Sequence, residues 1–295
     1  MNKLLPLILI LFAAPCFADV SNMSNQEIVK FHIASKVELN NPHDLKLSPD
    51  GKYLFVADVG NNRVVILNPE TLSYVAEFGS DHQSGTHDID FDQQGRAYIA
   101  DTHNNRVIIY QIEDTTATLI DELSERIRGP EGVLVHPNGY IYVGGAWSNN
   151  VVVYKNGDVI AELTGLSSPH DLEVAPNGNI WLSDAGNDRM LLLTEDLKIT
   201  RELRGAPYNF KGVRYQDLLP DGTLIAADKN NHSIKFISED GKLLYVLGTG
   251  KAGRGVNIFK TPEGVEIRNS TLWLSDSGNN RIVKYEIDLV KLNSK

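Results

Sequence analysis

The sequence predicts an all-β fold in which one structural unit is repeated along the chain, and three observations support this prediction. Short runs rich in β-branched and aromatic residues recur, separated by turns of Gly, Asn, Asp and Pro. No long segment with a helical period interrupts these runs. Six segments open with similar motifs, and they begin at Pro42, Thr86, Pro130, Pro169, Phe210 and Pro262. Their spacing is close to the roughly 40–50 residues of a four-stranded propeller blade.

Each unit shows the same elements in the same order. The first strands are "DLKL", "DIDF", "GVLV", "DLEV", "GVRY" and "GVEI", and most are followed by turns such as "SPDG" or "APNG". The second strands are runs such as "YLFVAD" and "NIWLSD", and the third are runs such as "RVVIL" and "RIVKY". A fourth run, such as "SYVAEF" or "DVIAEL", closes most units. Four short strands per unit predict antiparallel blades, and radial repetition leaves few exposed strand edges.

The two ends of the chain indicate how the ring closes. The sixth unit has three strands, whereas a spare strand-like run, "FHIASKVEL" at 31–39, precedes the first unit. We therefore predict a six-bladed β-propeller in which this N-terminal strand completes the last blade. The propeller domain is predicted to span 30–295, with 19–29 as a flexible leader.

Two stretches carry a resemblance to a known family. "PHDLKLSPDGKYLFVADVGNNRVVIL" and "TPEGVEIRNSTLWLSDSGNNRIVKY" are similar to NHL repeats, with their P-x-G-V start and A-D-x-x-N-x-R centre. This resemblance implies a six-bladed propeller, a scaffold that serves enzymes and binding platforms alike. The A-D-x-x-N-x-R residues recur in four units, so we interpret them as scaffold that ties tight turns rather than as chemistry. His136, in a turn beside Pro137, is expected to be exposed.

Composition and the N-terminus bound the cellular setting. The net charge is −10 and no basic run occurs, so nucleic-acid binding is not expected. Residues 1–18 have a positive start, a short apolar run and Ala18 before a plausible cleavage point, which predicts a signal peptide. The protein is then secreted or periplasmic; lipid attachment at Cys16 is a weaker alternative. No membrane span is expected. The protein is expected to be a monomer.

The residue that precedes the first strand should repeat around the central channel. By the alignment above this position holds His43, His87, Glu131, His170, Lys211 and Glu263. Three His with one open position form an arrangement known for catalytic zinc. The sequence thus predicts a divalent transition metal, zinc or else iron or copper, at His43, His87 and His170. The alternative is that a water-filled channel tolerates polar residues, which merely hydrogen-bond to each other.

Other residues are candidates for the chemistry around that position. Glu131 is a possible fourth ligand or general base, Glu263 a second proton-handling group, and Lys211 a group that holds a substrate carboxylate. Carboxylates next to the three His are candidates to orient the imidazoles: Asp44, Asp88 and Asp171. The loops between second and third strands offer residues for the substrate end: His103, Trp147 and Lys229.

The "PHDL" starts at His43 and His170, and in part "THDI" at His87, resemble the zinc-binding starts of peptidylglycine-amidating lyases, which are also six-bladed. The resemblance implies a zinc site at these three His and lyase chemistry. The chain departs from that group in two ways. Its His come from units one, two and four rather than from alternate blades, and the loops that should bring an Arg and a Tyr to the metal contain no Tyr.

These observations leave two main hypotheses for function. The first is a metal-dependent lyase or hydrolase that acts on a small molecule or peptide at the channel mouth. The second is a non-catalytic propeller that binds a protein, peptide or glycan, with Trp147 as an anchor. A calcium-dependent lactonase is a weaker third option, because calcium prefers oxygen ligands.

Overall fold

The computed structural model describes residues 27–295. The predicted signal peptide at 1–18 and most of the predicted leader at 19–29 lie outside the described residues. The described chain forms six four-stranded antiparallel sheets, so the predicted all-β, six-bladed propeller is confirmed. One short helix, α1 (Leu289–Asn293), follows the last strand.

Five blades are built from consecutive strands in chain order. Blade 1 contains β2 (Pro42–Leu47), β3 (Leu54–Asp58), β4 (Arg63–Leu67) and β5 (Tyr74–Phe78). Blade 2 contains β6 (Thr86–Phe91), β7 (Arg96–Asp101), β8 (Arg106–Glu113) and β9 (Thr116–Leu123). Blade 3 contains β10 (Pro130–Val135), β11 (Ile141–Gly145), β12 (Asn150–Lys155) and β13 (Asp158–Leu163).

The remaining blades continue the pattern, except that the sixth combines both ends of the described chain. Blade 4 contains β14 (Pro169–Val174), β15 (Ile180–Asp184), β16 (Arg189–Leu193) and β17 (Ile199–Arg204). Blade 5 contains β18 (Val213–Leu218), β19 (Leu224–Asp228), β20 (Ser233–Ile237) and β21 (Leu243–Leu247). Blade 6 contains β22 (Val265–Arg268), β23 (Thr271–Asp276), β24 (Arg281–Ile287) and β1 (Val29–Ala34), which pairs antiparallel with β24.

The hydrophobic core lies between neighbouring blades. Phe55 and Ile66 of blade 1 pack with Ile99 and Tyr110 of blade 2, and all four side chains are almost completely buried. The same kind of cluster joins each following pair, and Trp273 of blade 6 packs into the cluster of blade 1. Burying a side chain of this size contributes about 1.5–3 kcal/mol. The ring is therefore held together by inter-blade packing.

The recurring Asp and Arg of four units form a buried scaffold, as the sequence indicated. In blade 1 the Asp58 carboxylate, which is fully buried, accepts hydrogen bonds from Asn61 Nδ2, Arg63 Nε and the Asn40 backbone N–H, each at 2.7–2.8 Å. Arg63 also pairs with Glu77 of the outer strand at 2.6 Å. This network closes the turn between the second and third strands.

A second recurring contact links each blade to the next one. Asn62 adopts a left-handed backbone conformation, with φ of 55°, and its Oδ1 accepts from the Gly85 N–H of blade 2 at 2.8 Å. The residue at this position in blade 6, Asn280, accepts from the Asn41 N–H of blade 1 at 2.9 Å. The contact therefore continues across the point where the ring closes.

No helix within residues 27–295 is long and apolar enough to cross a membrane.

Candidate active site at the tunnel mouth

A β-bulge near the start of the inner strand brings two consecutive side chains into the central tunnel. In blade 1 the pairing shifts between Pro42 and Leu45, and the inner strands of blades 2 to 5 shift at the matching place. A bulge of this kind re-aims a side chain that would otherwise face away. The ring of His43 consequently lies 4.6 Å from the ring of His87, while the next residue, Asp44, interacts with carboxylates of blades 2 and 4.

The tunnel is filled by three layers of polar side chains, counted from the end where the inner strands begin. The upper layer consists of His43, His87, Glu131, His170, Arg214 and Glu263. The middle layer consists of Asp44, Asp88, Asp171 and Tyr215. The lower layer consists of Lys46, Asp90, Glu173, Asp217 and Glu266. Contacts run across the ring: the Tyr215 hydroxyl of blade 5 donates to the carbonyls of His87 and Glu131, at 3.2 and 3.0 Å.

The register of blade 5 corrects one sequence assignment. Val213 pairs with Asp228 as Pro42 pairs with Asp58, so Arg214 occupies the position of His43. Lys211 was expected there, and this expectation is wrong. Lys211 is exposed and lies in the preceding loop, where its backbone N–H donates to Asp228 at 2.8 Å.

The sequence does contain a signal for the correct register. In blades 1, 2 and 4 the residue that opens the inner strand lies 15 or 16 positions before the buried Asp of the second strand. Counting back in this way from Asp228 reaches Val213 or its neighbour. Alignment on the "GV" pair hid this spacing.

His43 and His87 form a pair of neutral imidazoles. The Nδ1–H of His87 donates to the Gly85 carbonyl at 2.8 Å, which leaves Nε2 as the unprotonated nitrogen. Asn41 Nδ2 donates to Nε2 of His43 at 3.0 Å. Burial, first of all, lowers the pKa of His87, and burial together with the neighbouring His87 and Lys229 lowers the pKa of His43 well below its usual value. Both rings are therefore uncharged near neutral pH.

His170 forms an ion pair with Glu131. The Nδ1–H of His170 donates to the Ser168 carbonyl at 2.8 Å, and Nε2 contacts Oε2 of Glu131. Burial on its own would raise the pKa of Glu131, but the attraction of His170, reinforced by His87 and Arg214, lowers it well below the usual range. Both ring nitrogens of His170 therefore face an acceptor oxygen.

Glu263 is the buried anion on the other side of the mouth. Only 1% of its side chain is exposed. Lys229 Nζ lies 2.5 Å from Oε1 and Arg214 Nε lies 3.6 Å from Oε2. His43 Nε2 approaches Oε1 at 3.8 Å. Glu263 thus positions two cations at the mouth, and the predicted Lys229 is one of them.

The predicted substrate-end residues His103 and Trp147 form the rim. The ring of His103 lies 6.3 Å from that of His87, and Trp147 stacks on His103 at 5.8 Å with an interplanar angle of 19°. Trp147 also packs on Gly129, where a Cβ would come within 2.3 Å of the indole. The indole is 49% exposed. A continuous arc of rings therefore leads from the tunnel to solvent.

The carboxylates of the middle layer do not orient the imidazoles, so that expectation is wrong. Asp88 accepts from the Val133 N–H at 2.5 Å and Asp171 from the Gln216 N–H at 2.7 Å, in each case from the next blade. The imidazoles of His87 and His170 donate instead to backbone carbonyls. His136, expected to be exposed, is only 4% exposed, and its Nε2 contacts the Gly178 carbonyl at 3.0 Å.

Within residues 27–295, the side chains of the upper layer do not converge on one metal ion. Across residues 27–295, no three His, Cys, Asp or Glu side chains lie close enough to hold one ion together. Nε2 of His170 contacts Glu131, and Nε2 of His43 accepts from Asn41. In this arrangement the three imidazoles do not fit a zinc cage. The mouth instead brings together the neutral ring of His87, the His170–Glu131 pair and the cations Arg214 and Lys229.

Comparison with known proteins supports the propeller assignment. A family model described as "Lactonase, 7-bladed beta-propeller" matches residues 21–164, just under half of the chain. NHL repeat-containing protein 2 of Gallus gallus is 27% identical, and the match covers 41% of this chain and 21% of that protein. The human protein of the same name is 26% identical, with 41% and 20% covered. The chain spans about a fifth of these relatives, and the resemblance to NHL repeats is confirmed.

Solved structures share the fold over most of the chain. A streptogramin B lyase superposes with a TM-score of 0.63 at 15% identity, covering 88% of this chain and 87% of that one. A catalytically inactive virginiamycin B lyase from Staphylococcus aureus with quinupristin gives 0.60 at 15%, covering 89% and 90%. Hydrazine synthase from Kuenenia stuttgartiensis gives 0.64 at 17%, covering 90% and 82%. At this identity the likeness concerns the fold alone.

Proposed function

We propose that the upper layer is the active site of a lyase or hydrolase that cleaves a small molecule or peptide by acid–base catalysis. The observation that carries this proposal is that a neutral imidazole, His87, and an imidazole–carboxylate pair, His170 with Glu131, meet at one tunnel mouth. An enzyme that breaks a bond needs one group to take a proton and another to give one. The lactonase model and the lyase structures support the reaction class.

In this proposal each residue has one task. His87 Nε2 takes a proton from substrate carbon in a lyase, or from water in a hydrolase. His170 gives its Nε2 proton to the departing oxygen, and Glu131 stabilises the charged form of the ring between turnovers. Arg214 and Lys229 bind the substrate oxyanion, and Glu263 holds both cations in place.

The reaction class is tested with a panel of three substrates drawn from the resemblances: simple lactones, a streptogramin B, and a peptide ending in hydroxyglycine. We expect His87→Ala to lower kcat/KM on the accepted substrate by about 100-fold or more. Glu131→Gln should lower it by about tenfold or more, since it weakens the acid without removing it. Lys211→Ala removes an exposed cation of the same face and is the matched control, expected to leave kcat/KM unchanged. Equal activity of all variants contradicts the proposal.

The metal remains a separate proposal, and no step above depends on it. Zinc, iron or copper at His43, His87 and His170 would require these side chains to move together. Elemental analysis of protein purified from its native compartment tests this directly. Near-stoichiometric metal that is lost in a His43→Ala/His170→Ala double variant supports the site, whereas no bound metal in active protein contradicts it.

A secreted or periplasmic location also remains a proposal, since the predicted signal peptide lies outside the described residues. Amino-terminal sequencing of the exported protein should give Asp19 as the first residue. A retained Met1 would contradict it.

A second function is favoured by one observation, the half-exposed Trp147 at the rim. A non-catalytic propeller could use this indole as the anchor for a protein, peptide or glycan. Trp147→Ala should then abolish recovery of the partner, and His87→Ala should leave it intact. The reverse pattern, with turnover lost in His87→Ala, supports the enzyme.

A further inference from the structure

Few hydrogen-bond acceptors reach the guanidinium of Arg214. Among the described residues its buried Nε has no hydrogen-bond partner. Its Nη1 lies 3.1 Å from Nδ1 of His170, but that nitrogen already donates its proton to the Ser168 carbonyl. The carboxylates of Glu263 and Glu131 lie 3.6 and 4.0 Å away, within ion-pair range only. An arginine carries five N–H donors, so this one is suited to receive a planar oxyanion.

A second cation lies beside Arg214 at the mouth. Lys229 Nζ lies 2.5 Å from Oε1 of Glu263, and the same carboxylate is an ion-pair partner of Arg214 Nε at 3.6 Å. The two cations therefore share one buried carboxylate, because Glu131 pairs with His170 and lies 4.0 Å from Arg214. An anionic group placed between Arg214 and Lys229 gains attraction from both.

An apolar surface lies on blade 3 at the mouth. Trp147, from blade 3, is half exposed and is fixed by Gly129 and by the stacked ring of His103. The two cations come from blade 5, with Arg214 on the inner strand and Lys229 after the second strand. The mouth therefore carries a flat aromatic surface on blade 3 and a cationic one on blade 5, two blades further round the ring.

We propose that the tunnel mouth binds a carboxylate joined to a planar hydrophobic group, with the carboxylate on Arg214 and Lys229 and the planar group on Trp147. This rests on the proposed function and narrows its substrate class to aryl-bearing or similarly flat carboxylic acids and peptides with such an end. Arg favours planar carboxylates because its fork matches both oxygens. Indole faces offer area for stacking at low entropic cost.

Intrinsic fluorescence gives a direct test. The chain has three Trp, and Trp147 is 49% exposed whereas Trp181 and Trp273 are 5% and 4% exposed. Emission that is sensitive to added ligand therefore reports on the mouth, and Trp147→Phe identifies the signal by removing it. Four non-reacting probes are titrated: phenylacetate, phenylacetamide, acetate and phenylphosphonate. Calorimetry provides the affinity where the indole has been removed.

We expect phenylacetate to bind at least about tenfold more tightly than phenylacetamide and than acetate, since charge-assisted hydrogen bonds and stacking are each worth that much. Arg214→Gln should abolish the preference for carboxylate over amide, and Trp147→Ala the preference for phenylacetate over acetate. Arg214→Lys keeps the positive charge and is the control for misfolding. It should retain part of the preference for carboxylate over amide. Lys211→Ala removes an exposed cation of the same face that does not enter the tunnel, and Tyr74→Ala removes an exposed ring on the outer strand of blade 1; both are matched controls expected to change neither preference.

Equal affinity for the amide and the carboxylate in wild-type protein overturns the inference. Tighter binding of phenylphosphonate than of phenylacetate also overturns it, because the site would then select phosphorus oxyanions. These probes are not turned over, so the outcome is independent of catalysis. Selective binding of phenylacetate with no activity on the substrate panel would reject the proposed function and leave this binding site standing.

Discussion

The upper and lower layers of the tunnel occupy positions only three residues apart on the same strands, yet they satisfy their polar groups in opposite ways. In the lower layer, Asp90 accepts from the Val135 N–H and Asp217 from the Ile267 N–H, both at 2.6 Å and both from the next blade. Lys46 supplies the countercharge through its ion pair with Glu173. The lower layer thus finds its hydrogen-bond and ion-pair partners within the chain.

The upper layer leaves several buried polar atoms without hydrogen-bond partners among the described residues. Two of them are His43 Nδ1 and Arg214 Nε, whereas Glu263 is held by ion pairs with Lys229 and Arg214. Unsatisfied buried groups cost free energy and are retained where function requires them. The lower layer therefore links neighbouring blades, whereas the upper layer has polar groups available for a ligand. The same bulged inner strands supply both layers.

Removal of Lys46 should have the largest effect on stability. Lys46→Met leaves Asp90, Glu173, Asp217 and Glu266 without their shared cation, and breaking a buried ion pair in this way typically costs about 3–5 kcal/mol. Urea unfolding with circular dichroism measures the change. The loss should be smaller at acid pH, where the carboxylates are protonated. A stability loss under about 1 kcal/mol at pH 8 would mean that the lower layer does not hold the blades.

The equivalent change in the upper layer should affect activity instead of stability. Arg214→Met removes an under-satisfied guanidinium and leaves an apolar side chain of similar length. We expect kcat/KM on the accepted substrate to fall by about 100-fold, while the free energy of unfolding changes by less than about 1 kcal/mol. Steady-state kinetics and urea unfolding on the same preparation check both. An unfolded or strongly destabilised variant would place Arg214 with the scaffold.

The pH dependence of stability is a third property in which the lower and upper layers differ. Burial raises the pKa of Asp90 and of Asp217 to about 7, from the usual 3.8. Between these values the folded protein binds protons that the unfolded chain does not, so stability rises as pH falls from about 7 towards about 4. The lowered pKa of His43 and of His87 acts in the opposite direction below about pH 6.5.

Thermal melts from pH 8 to pH 5 test this balance. Carboxyls with a raised pKa outnumber the two His, so the melting temperature should increase by a few degrees on acidification, about 1–2 kcal/mol in stability. These carboxyls are Asp44, Asp88, Asp90, Asp171, Asp217 and Glu266. Asp217→Asn removes one of these carboxylates and should flatten the curve. A melting temperature that falls steadily from pH 8 to pH 5 would show that the imidazoles dominate.

The repeat pattern was sufficient to predict the six blades and most of the upper layer, because strand period and turn chemistry are local properties. His43, His87, Glu131, His170 and Glu263 reach the tunnel as expected. The sequence could not show the bulge, which depends on pairing with the second strand.

Two misassignments follow from that non-local pairing. Because the bulge was not foreseen, Asp44, Asp88 and Asp171 were assigned to orient the imidazoles rather than to a separate layer beneath them. Lys211 was assigned in place of Arg214 for the same reason, since the register of blade 5 is set by Asp228 rather than by the local "GV" pair. The geometry that decides chemistry, such as which imidazole nitrogen is free, depends on carbonyls and side chains from other parts of the chain.

The smallest predicted effect concerns the contact that the sequence motif did identify as scaffold. Asn62→Gly keeps the left-handed backbone conformation but removes the oxygen that accepts from Gly85, and should cost about 1 kcal/mol of unfolding free energy. Asn62→Ala should cost about 1 kcal/mol more, because a Cβ disfavours a φ of 55°. Urea unfolding compares the two, and kcat/KM should stay unchanged in both. A loss of activity at unchanged stability would mean that Asn62, and with it the recurring motif, belongs to the site rather than to the scaffold. The contrast between positions that link blades and positions that bind a ligand would then no longer hold.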